Sequence, residues 1–300
     1  MSLFAGLSAF PLTPTDAEGR LDADLLGQFL EGIVAAKADS IGLLGSTGSY
    51  AYMAPEERRR VLRVAVESVA GRCPIIVGVG AVATGVAEDL ARDAREAGAD
   101  GLLLAPVSYQ ALTEEEVFVH FQAVARAGKL PLCIYNNPGT THFTFSDALV
   151  ARLAGVSGVQ AIKMPPLAGA DYAAQSARLQ AITPRDFAIG HSGDWDARAA
   201  LLAGAECWYS VVAGLLPGPA VALARAAQAG DRDEAGRIDE AFQPLWALFR
   251  RFGSYRVMYL LAELLGHGAL QPPRPVLPLP EAEREAVGAA LDSVKALRPA

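Results

Sequence analysis

Lysine is scarce in this chain. Of the 26 basic residues among 300, only Lys37, Lys129, Lys163 and Lys295 are lysines, and the rest are arginines. Positive charge is short overall as well, with 26 Lys and Arg against 33 Asp and Glu for a net charge of −7. No strong positive field is available to hold a polyanion, so nucleic acid is not an expected partner. Cysteine occurs three times, at Cys73, Cys133 and Cys207, widely separated and without a CxxC pair. That argues against a zinc site or a disulfide framework and for buried thiols in a reducing cytoplasm. No apolar run reaches the roughly 18 residues needed to span a bilayer, and the opening stretch MSLFAGLSAFPLTPTDAEG lacks the basic start of a secretory signal. A soluble cytoplasmic protein with no membrane partner is expected. With 52% hydrophobic and 20% charged residues, disorder is excluded and a large core is affordable.

What is present is an alternation. Short apolar runs at 3–10, 40–44, 74–79, 101–105, 132–135, 159–163, 187–190 and 207–211 are separated by longer amphipathic segments. Helix starts are marked by Asp22, by Pro55-Glu56-Glu57, and by a capping box of Thr113 with Glu116. Strand and helix in strict succession predict a parallel sheet, and eight such units predict a closed (β/α)8 TIM barrel of the α/β class. A weak internal repeat agrees: Ala36-Lys37-Ala38-Asp39, Ala97-Gly98-Ala99-Asp100 and Ala203-Gly204-Ala205-Glu206 each lead from a helix into a strand. An open dinucleotide-binding sheet is disfavoured, since Gly78-Val79-Gly80 does not continue as G-x-G-x-x-G. Beyond residue 213 the pattern turns helical, at 219–228, 231–251, 254–265 and 280–297, with a proline-rich connector at 271–280. This divides the chain into a barrel, residues 1–222, and a C-terminal helical extension, residues 223–300, which covers the barrel or forms a subunit contact.

Working residues of such a barrel lie at the C-terminal ends of its strands. Lys163 ends the sixth run between Val159-Gln160-Ala161-Ile162 and Met164-Pro165-Pro166. An ammonium in apolar surroundings is disfavoured, and the neutral amine it leaves is a nucleophile able to form a Schiff base with a carbonyl compound. A strand-end lysine can also snorkel to solvent or pair with a carboxylate; the apolar flanks and the scarcity of lysine favour the nucleophile. Tyr135 ends the neighbouring run, where a phenol can pass protons to and from a carbinolamine. Gly45-Ser46-Thr47-Gly48 offers hydroxyl and amide donors for a carboxylate or phosphate but lacks the lysine of a P-loop. No H-E-x-x-H motif occurs. Of the four histidines only His191 falls on the expected rim, as a possible substrate contact.

Together, Gly45-Ser46-Thr47-Gly48, Tyr109, Tyr135-Asn136-Asn137-Pro138 and Ile162-Lys163, with the early Ala9-Phe10-Pro11-Leu12-Thr13-Pro14, resemble the dihydrodipicolinate synthase / N-acetylneuraminate lyase family of pyruvate-dependent class I aldolases. The likeness covers nearly the whole chain. It implies a Schiff base between Lys163 and pyruvate or another 2-oxo acid, and a proton-relay role for Tyr135 with Ser46 and Tyr109 as its hydrogen-bonding partners. It further implies carboxylate binding by Ser46, Thr47 and Gly48, a backbone contact from Tyr209, and a second-substrate region near Gly190, Asp194 and Thr140. No metal or organic cofactor is implied, and dimers or tetramers are, with Tyr109 reaching the neighbouring subunit. There are departures. Thr140 stands where synthases of lysine biosynthesis carry an arginine for the second substrate's carboxylate, Ser49 replaces the usual glutamate of the glycine turn, and Met164 follows the lysine.

The expectation is therefore a lyase that condenses or cleaves a 2-oxo acid with an aldehyde through an imine on Lys163. Authentic dihydrodipicolinate synthase, or a sugar-acid dehydratase of the same family, is the alternative. A non-catalytic oxo-acid-binding homologue is a further one.

Overall fold

The computed structural model describes residues 2–297 apart from 17, 168 and 170. Eight parallel strands close into a barrel in chain order, and the first pairs with the last. They are β1 (Gly6–Ala9), β2 (Ser40–Leu43), β3 (Ile75–Gly78), β4 (Gly101–Leu104), β5 (Leu132–Tyr135), β6 (Val159–Met164), β7 (Ala188–His191) and β8 (Cys207–Ser210). Between them lie α1 (Ala23–Ala35), α2 (Pro55–Val69), α3 (Thr84–Ala97), α4 (Glu114–Gly128), α5 (Pro138–Thr141), α6 (Asp147–Ala154), α7 (Tyr172–Gln180) and α8 (Ala197–Leu202). The (β/α)8 barrel expected from the alternation is what forms. One element adds to that expectation: Pro138, pre-set for a first helical position, opens the single-turn α5 at the barrel mouth.

The starts read from sequence have their local causes in place. The Asp22 carboxylate accepts from the Leu25 amide, and Thr113 with Glu116 closes a reciprocal capping box. The three-fold repeat also has a physical reason. Asp39, Asp100 and Glu206 sit just before β2, β4 and β8. Each donates its backbone N–H to a carbonyl of the preceding strand (Leu7, Ile75 and Ile189) while its carboxylate accepts that same residue's N–H. Each pair of bonds locks one strand to the next at the barrel's lower end, where the last free amide would otherwise be unpaired.

Side chains alternate in and out along each strand. Outward residues such as Ile134 and Ile162 join the large core between sheet and helices, and inward ones such as Cys133, Tyr135 and Ala161 fill the barrel together with Phe10 and Tyr209. Lys163 shares the inward parity of Ala161. Phe10 occupies the space that side chains on β2 and its following turn would take: a Cβ on Gly42 would lie 2.2 Å from the ring, and one on Gly45 would lie 2.6 Å away. All three cysteines are buried and unbridged.

Four further helices follow: α9 (Pro217–Gln228), α10 (Arg232–Phe252), α11 (Ser254–Leu264) and α12 (Arg284–Lys295). Helix α9 runs through residues 222 and 223, packing both on β1 and on α10. The last three pack on one another, and the start of α11 brings Gly253, Ser254 and Tyr255 to the mouth of the barrel. Of the two roles left open for this extension, covering the barrel is therefore one that it plays. Among the described residues no helix is long and apolar enough to cross a membrane.

Candidate active site

A cavity of about 470 Å3 opens at the C-terminal ends of the strands. Its wall includes Ser46, Thr47, Tyr135, Thr140, Lys163 and Asp194, which the sequence had nominated from four separate segments. Lys163 lies on its floor, 3% exposed. Strand register sets it beside Tyr135 on β5 and Gly190 on β7. Its ammonium nitrogen is 3.8 Å from the centre of the Phe10 ring, 4.3 Å from that of Tyr135 and 5.4 Å from that of Tyr209. Among the described residues it forms no ion pair. Ring faces offer a cation some attraction without tying up its lone pair once it is deprotonated.

The Tyr135 hydroxyl is 3.2 Å from that of Ser46 and accepts a hydrogen bond from the Asn137 side-chain amide at 3.0 Å. Tyr135 thus has one partner whose proton can move and one that fixes its orientation. Asn137 as the second partner was missed, although it stands within the quoted Tyr-Asn-Asn-Pro motif. Tyr109 does not join this network within one chain. It belongs to the loop between β4 and α4, is 90% exposed, and leaves Val107 to supply that loop's part of the wall. Gly48 backs onto the Leu44 backbone, where a Cβ would approach to 2.9 Å. Gly190 and Tyr209 lie in the packed interior behind the wall, where the Tyr209 ring takes the space of the missing Gly190 side chain.

Asp194 touches the cavity, but its carboxylate is engaged. It accepts from the Trp208 indole N–H at 2.9 Å and from the amides of Val211 and Val212 at 3.1 and 2.7 Å, which fastens the segment after β8. Burial pushes its pKa from 3.8 up to about 6, against the pull of those donors and of Lys163. His191 points away from the mouth. It is buried, hydrogen-bonded to Gln175 at 2.8 Å and packed edge-on against Tyr172, so it offers no substrate contact. Burial lowers its pKa from 6.5 to about 4.

These two shifts oppose each other. Between about pH 4 and 6 the folded protein keeps a proton on Asp194 that the unfolded chain has released, so this carboxyl's contribution to stability falls as pH rises. Over the same window the unfolded chain protonates the imidazole that folding keeps neutral, so His191's contribution rises. Asp194→Asn is expected to unmask an upward slope of about 1.4 kcal/mol per pH unit, and His191→Asn a downward one of similar size. Thermal melts from pH 4 to 6.5 check this, and variant curves parallel to wild type would rule it out.

Sequence reasoning also missed Arg58 and Tyr255. The buried Arg58 guanidinium donates to the carbonyls of Gly78 and Gly80 at 2.8 and 3.0 Å, holding the end of β3, and burial lowers its pKa to about 10. Its place within an amphipathic helix gave no signal. Tyr255 comes from the helical extension and shares a hydrogen bond with the Ser49 hydroxyl at 2.6 Å.

Residues 3–294 match the model of the dihydrodipicolinate synthetase family. The chain belongs to this family. Its fold is that of the family's barrel enzymes, and it is a Schiff-base-forming, pyruvate-dependent lyase of the class I aldolase type. It is 34% identical over 263 residues, covering 87% of this chain and 89% of the relative, to the 4-hydroxy-tetrahydrodipicolinate synthase of Pseudomonas putida. Among solved structures, dihydrodipicolinate synthase from Agrobacterium tumefaciens superposes with a TM-score of 0.96 at 55% identity, covering 97% of this chain and 98% of that one. The 4-hydroxy-tetrahydrodipicolinate synthase of Methylacidiphilum fumariolicum superposes at 0.90 and 26% identity, covering 97% and 96%.

Proposed function

We propose that Lys163 is the amine that carries the imine, and that pyruvate or a closely related 2-oxo acid is its partner. The observation that carries this reading is a buried amine, held over three aromatic rings and in no ion pair among the described residues, beside the Tyr135–Ser46 hydroxyl pair. In this reading the amine attacks the oxo carbon, and Tyr135 delivers a proton to the carbinolamine oxygen so that water departs and the imine remains. Ser46 and Thr47 hold the carboxylate so that the oxo carbon meets the amine. Loss of a C3 proton gives the enamine, whose C3 adds to the aldehyde carbon while the aldehyde oxygen takes up a proton. Water then releases the product, and cleavage runs the same steps in reverse.

The acceptor follows from what lines the cavity. Lys163 is its one cationic side chain among the described residues, and Thr140 contributes a hydroxyl that donates to the Asn137 carbonyl at 3.3 Å. A threonine cannot supply the two-pronged contact of a guanidinium. We therefore favour an aldehyde other than aspartate semialdehyde. Authentic 4-hydroxy-tetrahydrodipicolinate synthase, the activity named for the relatives, is the second reading, and a sugar-acid dehydratase using the same imine is a third. We further propose a homodimer or homotetramer with Tyr109 at a subunit contact, and a cytoplasmic location.

Borohydride reduction in the presence of pyruvate, followed by peptide mass analysis, is expected to leave a carboxyethyl group on Lys163. No adduct, or an adduct on another lysine, would overturn the assignment. An adduct without turnover leaves the non-catalytic oxo-acid binder standing.

A further inference from the structure

Three hydroxyls meet where the helical extension closes on the barrel. Ser49 Oγ lies 2.6 Å from Tyr255 Oη and 3.3 Å from Tyr259 Oη, and the two phenols are 3.4 Å apart. Ser49 is buried in a left-handed conformation, φ 61°, at the end of the Gly45–Gly48 turn, and both Ser49 and Tyr255 line the cavity. Two other hydroxyls of the wall have their protons committed: that of Ser192 donates to the Met164 carbonyl at 3.0 Å, and that of Thr140 donates to the Asn137 carbonyl. In the three-hydroxyl ring each O–H can serve one neighbour, which leaves a free lone pair on every oxygen. Either phenol can be the donor in the longest contact, between Tyr255 and Tyr259, so opening it frees one O–H at the cluster.

A site that offers one acceptor and one releasable donor, with no cation, matches a hydroxyl group. A carboxylate would face lone pairs and lose solvation without recompense. We infer that Ser49, Tyr255 and Tyr259 form the acceptor-recognition element, and that the aldehyde they select bears a hydroxyl and no carboxylate. This rests on the aldolase reading above and names the second substrate's chemical class. In the step concerned, the enamine C3 bonds to the aldehyde carbon and the aldehyde oxygen gains a proton. The cluster touches only the part of the acceptor that does not react, so Tyr255 is a specificity residue.

The test compares kcat/KM at saturating pyruvate for glyceraldehyde, for propanal, which lacks its hydroxyls, and for succinic semialdehyde, which carries a carboxylate. Wild type is expected to prefer glyceraldehyde at least tenfold over each of the others. Tyr255→Phe is expected to lower the glyceraldehyde-to-propanal ratio about tenfold, the scale of one lost hydrogen bond. Preference for succinic semialdehyde overturns the inference, as does an unchanged ratio in the variant. The wild-type comparison decides the matter even if the variant fails to fold. Borohydride trapping on the same samples separates the two readings. Trapped pyruvate with no preference for glyceraldehyde sinks this inference alone, whereas no trapping sinks the aldolase reading and this inference with it.

Discussion

Replacing Lys163 by methionine is expected to reduce kcat/KM by a factor on the order of 10^4 or more, the scale at which loss of a covalent nucleophile is felt. Methionine keeps most of the length of the side chain and removes the amine. Stability should hold or rise. The wild-type chain buries the Lys163 amine among Phe10, Tyr135 and Tyr209 with no ion pair among the described residues. Contact with ring faces contributes about 0.5–2 kcal/mol, whereas taking a charge out of water costs several kcal/mol. Steady-state assays and thermal melts of the same preparation check both halves. Activity within tenfold of wild type would remove Lys163 from the reaction, and a large fall in melting temperature would make its role structural.

Tyr135→Phe is expected to lower kcat by about 10^2 to 10^3, the range of a lost proton-transfer group. The ring that faces Lys163 at 4.3 Å would remain, so what is lost is the hydroxyl and its links to Ser46 and Asn137. Imine formation should slow without being abolished, and prolonged borohydride trapping should reach the wild-type extent. A kcat within threefold of wild type would show that protons reach the carbinolamine by another route. Burst and single-turnover measurements distinguish slowed chemistry from slowed release of product.

The barrel was legible because its signals are local. Strand-length apolar runs and the Asp22 and Thr113 caps lie within a few residues of what they organise, and the repeated acidic residue stands directly before the strand it introduces. Lys163 was legible because inward parity and strand-end position follow from counting along β6. What could not be read depends on distant pairs. Ser49 and Tyr255 are separated by 206 residues, and nothing in Gly253-Ser254-Tyr255 announces that it roofs the cavity. His191 looked like a rim residue because only the three-dimensional packing gives it Gln175 and Tyr172 as neighbours. Asp194 carries the same lesson: its partners Trp208, Val211 and Val212 lie on the following strand and its exit.

The Phe10 ring fills the volume in front of Gly42 and Gly45 and forms the floor beneath the Lys163 ammonium. Those three positions on the first two strand units are therefore not free to drift one at a time. A methyl group gained at position 42 or 45 requires a smaller residue at position 10, and a smaller residue there takes the floor from under the amine. Mutational paths through this barrel must therefore change floor and wall together.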